Sequence, residues 1–98
     1  MIAALVIVAA AFVAALDRVA AAHPAADPLS AGLLAALEVG LPGDSRAFAR
    51  TFAVEHALVL RAVAGLEEAG LIAVTARDPR TQRTRYIAGG SAARPARD

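Results

Sequence analysis

Arg77, Arg80, Arg83 and Arg85 fall within nine positions, and Asp78 is the only acid among them. Guanidinium groups at that density have one obvious chemistry: they offer forked donors to phosphate or carboxylate oxygens. Leu71 to Arg77 alternates as a strand, Asp78 to Gln82 reads as a turn, and Arg83 to Ala88 returns. The arginines are therefore expected on a hairpin, Arg80 and Arg83 at the tip and Arg77 and Arg85 on the stem. A local basic stripe in a near-neutral chain is the electrostatic footprint of a nucleic-acid contact surface. The competing reading is a solvated hairpin whose charged edges block aggregation.

Catalytic chemistry finds much less. His23 and His56 lie far apart in the chain, and neither has companions spaced as a triad or a metal set. His23 is expected to end a helix and His56 to sit exposed at a helix start. The absence of cysteine removes thiol catalysis, disulfides and cysteine-ligated zinc or iron-sulfur centres. Glu67 and Glu68, adjacent on a helix, point to different sides and read as an ordinary solvated pair. Gly89-Gly90 leads into no helix, so it is no phosphate loop. The expectation is a non-enzyme with no catalytic residue, no metal and no cofactor.

Ninety-eight residues fit one domain, with a thin margin for a core that has no covalent staple. Hydrophobic residues make up 58%, but much of that is alanine, which favours helix and adds little burial. The formal charge is only +1, yet all ten basic residues are arginines, so their distribution matters more than their sum.

The elements that must position these residues follow from punctuation and spacing. Residues 2–23 carry Ile2, Leu5, Ala9, Phe12, Leu16, Val19 and His23 at alternating steps of three and four, the seam of a helix packing along its length. Leu5, Val8, Phe12, Val13, Leu16 and Val19 fall on one side of it and mostly alanines on the other. The charge-free run stops at Asp17-Arg18, short of the roughly 20 residues that span a bilayer, and no basic residue precedes it as in a signal peptide. Packing on the domain or on a second subunit is therefore expected over membrane insertion or export. Asp27-Pro28 starts a second helix that ends at Gly40, with Leu29, Leu33, Leu34 and Leu37 as its apolar face. Asp44 or Ser45 caps a third, with Phe48 and Phe52 on its inner face. A fourth runs from about Glu55 to Ala69, with Val59, Val63 and Leu66 inward, and ends at Gly70. The fold class expected is mainly α with a small β-hairpin, a winged helix-turn-helix of four helices and a two-stranded wing. The divisions are a packing or dimerisation helix over 1–23, the winged domain over 27–88 and a flexible tail over 89–98.

Residues 47–74, AFARTFAVEHALVLRAVAGLEEAGLIAV, resemble the helix-turn-helix of the multiple-antibiotic-resistance-regulator (MarR) type of bacterial repressor. The segment RDPRTQRTRYI is similar to that family's wing, and LEEAGLI before a basic hairpin is a winged-helix signature shared with arsenic-repressor and PadR-type proteins. The resemblance implies a bacterial, cytoplasmic transcriptional regulator that binds double-stranded DNA as a homodimer. It places Phe48 and Ala49 in the first helix of the motif, Ala53 where a turn glycine is usual, and Val54 as the buried turn residue. Glu55 to Leu66 becomes the recognition helix, with Arg80 and Arg83 as wing arginines at the minor groove or its flanking phosphates. His56, Ala57, Leu60 and Arg61 would then face the major groove, with Arg46 and Arg50 toward backbone. The groove-facing residues depart from the family: Glu55, His56, Ala57, Leu58 and Leu60 offer few of the donors that read base edges. The family's paired C-terminal dimer helices have no counterpart after the wing, which leaves a dimer to the N-terminal helix. The alternative class is a protein-interaction module that kept the fold and lost base reading, with Leu58, Leu60, Ala57 and Ala64 forming an apolar strip.

Overall fold

A computed structural model describes residues 2–90 of the chain. The expected tail, from residue 91 onward, lies outside the described residues. The element order is α1 (Ile2–Ala22), α2 (Pro28–Glu38), α3 (Ser45–Phe52), α4 (His56–Glu68), β1 (Ile72–Arg77) and β2 (Thr84–Ala88). The protein is thus mainly helical with one small antiparallel hairpin. It divides into two compact units, Met1–Leu41 and Pro42–Asp98, so that α2 groups with α1.

In the first unit α1 and α2 pack together. Ala15 and Val19 of α1 are buried, and Phe12 and Leu16 are half-buried. Leu5, Val8 and Val13, expected on the same packed side, are instead exposed: only the C-terminal half of the helix has a covered face. Asp17 stays exposed, and the Arg18 guanidinium binds the Glu38 carboxylate near the end of α2. The Asp27 carboxylate accepts from Ser30 N–H at 2.8 Å, and Pro28 at the first turn needs no partner for its nitrogen. Gly40 ends α2 with φ +87°, while Leu41 N–H returns to the Ala36 carbonyl at 2.9 Å. Burial runs continuously from Ser30 to Ala36, wider than the four-leucine face that the spacing suggested.

The second unit is built around the inner stripe of α4. Val59, Ala62, Val63 and Leu66 are buried there, together with Phe48 of α3, Ile72 of β1 and Tyr86 of β2. Phe48 stacks on half-buried Phe52 with ring centroids 4.5 Å apart and planes tilted by 31°. Asp44 caps α3, its Oδ1 accepting from Arg46 N–H at 2.9 Å and Ala47 N–H at 3.0 Å. Ala53 then turns the chain in the left-handed region, φ 55°, where glycine is the usual occupant. Val54, expected to be buried, is half-buried. Glu55 occupies the N-cap position of α4 but makes no side-chain capping bond.

Strands β1 and β2 pair from Ile72↔Ala88 to Arg77↔Thr84, with a bulge between Val74 and Ala76 that leaves Thr75 unpaired. The far edge of β2 is covered as well. Tyr86 N–H donates to the Gly43 carbonyl at 2.9 Å, and Asp44 forms an isolated bridge with Arg85. This short pairing brings the cap of α3 to the middle of the returning strand.

Candidate nucleic-acid interface

The hairpin tip is organised by its one acid. Asp78 Oδ1 accepts from Arg80 N–H at 2.8 Å and from Thr81 N–H at 3.3 Å, while Gln82 N–H reaches the Asp78 carbonyl at 2.8 Å. These backbone donors, Arg80 N–H first, hold the Asp78 carboxyl below its usual range. Gln82 completes the turn at φ 66°. Asp78 therefore shapes the tip and forms no ion pair with Arg80. Among the described residues no carboxylate pairs with Arg80, which is exposed.

The other hairpin arginines are held by carboxylates. Arg77 donates to Glu67 Oε1 at 2.8 Å, so Glu67, solvated as expected beside exposed Glu68, also has an ion-pair partner. Arg83 and Arg85 share one group: their Nε atoms lie 3.5 and 3.7 Å from Asp44 Oδ2. Arg46, the second residue of α3, hydrogen-bonds the Thr81 carbonyl at 3.0 Å and so fastens that helix to the tip. Arg83 and Arg85 thus share a single carboxylate whose side chain is only 13% exposed, while the Arg46 guanidinium is held by a backbone carbonyl, leaving an excess of positive charge. Arg50 and Arg61 are exposed on α3 and α4, with no ion pair among the described residues.

Beneath this cluster lies a junction that sequence reasoning missed. Ser45 is fully buried, 0% exposed. Its Oγ accepts from Thr84 N–H at 2.9 Å and sits 2.8 Å from His56 Nε2. One hydroxyl therefore joins the start of α3, the start of α4 and the start of β2. His56 is half-buried rather than exposed. Burial lowers its pKa below the ordinary 6.5, the Arg46 charge and then that of Arg83 lower it further, and Asp44 opposes them. The ring therefore favours its neutral form at pH 7, in which a tautomer protonated on Nδ1 would let Ser45 O–H donate to Nε2. Ser45 beside a histidine has the chemistry of a nucleophile pair, but a hydroxyl with no exposed surface meets no substrate. Ser45 lies 11 positions from His56 and 39 from Thr84, so no local pattern announces the contact.

Of the groove-facing residues expected on α4, Ala57 and Arg61 are exposed and Leu60 is half-buried. Leu60, Val63 and Ala64 form one wall of a cleft of about 470 Å³, with Arg77, Gln82 and Thr84 on the hairpin side. Leu58 is 44% exposed. Tyr86 packs beneath β2, where burial and then the Asp44 carboxylate push its phenol up to about 12. Among the described residues no group of His, Asp and Glu is arranged to hold a metal ion. No protein-family model matches the sequence, and no curated protein matches it either.

Proposed function

We propose that the unit from Pro42 onward binds duplex DNA as a winged helix and acts in transcriptional control, in the manner of MarR-type regulators. In this reading α3, the Ala53 turn and α4 are the helix-turn-helix, and the β1–β2 hairpin is the wing. The observation that carries it is that Arg83 and Arg85 share one carboxylate and Arg46 is held to the Thr81 carbonyl, next to a tip that presents Arg80 with no ion pair among the described residues. Five guanidinium groups, counting Arg77, face three carboxylates in this region, Asp44, Glu67 and Asp78. The excess suits phosphate. Arg80 and Arg83 would anchor the wing, with Arg77 and Arg85 on its stem and Arg46 and Arg50 along the backbone. His56, Ala57, Leu60 and Arg61 would face the major groove, where so few donors supply weak base reading.

Binding of a generic duplex measured from low to moderate salt tests the proposal. Affinity should fall linearly on logarithmic axes, with a slope of about 0.9 per phosphate neutralised. The double variant Arg80→Ala/Arg83→Ala should reduce that slope by nearly two of these increments. Salt-independent binding, or a slope unchanged in the variant, overturns the proposal.

A second reading has its own support. Leu58 and Ala57 are exposed on α4, and Leu60 lines the cleft beside them. This apolar strip would suit a protein partner if base reading has been lost. Leu58→Asp would then abolish capture of that partner, whereas under the DNA reading it leaves the salt slope intact.

A further inference from the structure

Among the described residues, α1 presents most of the large apolar side chains that the packing leaves uncovered, Leu58 and Ile87 being the others. Ile2, Leu5, Val6, Ile7, Val8 and Val13 are 76, 66, 61, 67, 50 and 55% exposed. The helix is long and apolar enough to cross a membrane by length and composition, and residues 2–16 carry no charge.

What distinguishes the possible occupants is angular spread. At 100° per residue these six side chains occupy roughly 260° of the helix circumference. A second helix lying alongside covers a stripe of about 100° and would leave Ile7 and Val8, or Val6 and Ile2, in water. Hydrocarbon covers every side, and a helix meets its own backbone hydrogen bonds there. The placement of charge agrees. At about 1.5 Å per residue, the uncharged stretch is about 22 Å long, most of a hydrocarbon core of about 30 Å. Asp17 and Arg18 follow it immediately, with Arg18 bound to Glu38, so the first charges come where the uncharged stretch ends.

We propose that α1 is a membrane anchor: its exposed N-terminal part, Ile2 to about Phe12, enters the hydrocarbon of a lipid bilayer, and the α2-packed turn before Asp17 and Arg18 lies at the boundary. The anchor is independent of the nucleic-acid reading, because it uses none of the hairpin arginines.

Flotation of the full chain with phosphatidylcholine vesicles, at about 0.1 and 1 M salt, tests it. The chain should float at both, since apolar insertion is not screened as ionic attachment is. Ile7→Asp should lower the partition coefficient about 100-fold, the loss expected for a charge near the centre of a membrane helix. Arg80→Ala/Arg83→Ala should float as the parent does. Flotation only at low salt assigns the attachment to charge and overturns the anchor. So does a soluble, salt-independent dimer that ignores vesicles, an aggregate that pellets beside them, or an intact mass showing α1 removed during export.

Discussion

Asp44 uses its two oxygens for different tasks. Oδ1 caps α3, and Oδ2 faces Arg83 and Arg85. Asparagine caps a helix about as well as aspartate but carries no charge. Asp44→Asn should therefore leave the melting temperature nearly unchanged while strengthening duplex binding at low salt about three- to five-fold, on the scale of one exposed ion pair. Fluorescence anisotropy with a labelled duplex reads the change, and weaker binding would oppose the assignment of these arginines to phosphate. Ser45 offers a test of a different sign. Ser45→Ala leaves Thr84 N–H buried without an acceptor, which costs about 1–3 kcal/mol, visible in urea unfolding. His56 adds pH dependence. Its pKa is lowered on folding from 6.5, so its contribution is fully present above that value and is lost as pH falls through the lower folded value. Protonation also turns Nε2 into a donor and strands the buried Ser45 hydrogen. Melting temperature should drop between pH 7 and pH 5, and His56→Gln should flatten that drop.

The elements are held by a few backbone positions with narrow requirements. Ala53 sits at φ 55°, a conformation that costs a residue with a Cβ about 1–2 kcal/mol. Ala53→Gly relieves this, less the greater chain entropy of glycine, and should raise stability by about 0.5–1 kcal/mol in chemical denaturation. Gly89 is the converse case. A Cβ there would lie 2.5 Å from the Gly70 carbonyl oxygen and 2.9 Å from Ile72 N, both backbone atoms, so Gly89→Ala should destabilise by about 1–3 kcal/mol. The element order was legible in the sequence because punctuation is local: Asp27-Pro28, Gly40, Asp44 and Gly70 mark ends without help from distant residues. Even the departure at Ala53 was visible, as an alanine where a turn glycine is usual. The site was less legible. The spacing of Arg77, Arg80, Arg83 and Arg85 announced the hairpin and its charge, but not that Asp44 and Glu67 would hold three of the four. Nor did it give the burial of Ser45 or the half-burial of His56. Those depend on contacts between elements, which a one-dimensional pattern does not encode. Along the N-terminal helix the seam packs on α2 only toward its C-terminal end, at Ala15 and Val19, because periodicity ranks the faces of a helix but cannot say how far along its length a partner extends.

At the scale of the whole molecule, two surfaces of unlike chemistry belong to two compact units. The first exposes apolar side chains on α1, and the second gathers guanidinium groups at its hairpin. If both proposals hold, a labelled duplex should co-float with vesicles only when the protein is present, and salt should release the duplex while leaving the protein on the lipid. The shared carboxylate of Asp44 bears on which polyanions such a surface would select. Under the DNA proposal, the Asp44 carboxylate occupies the place a phosphate would take beside Arg83 and Arg85. A lone anion in solution must evict this resident and gains one site in return. A polymer that presents several phosphates at once displaces it at one point and is rewarded at others. Under that proposal the resting molecule would be buffered against mononucleotides and inorganic phosphate, and occupancy would become a matter of valency.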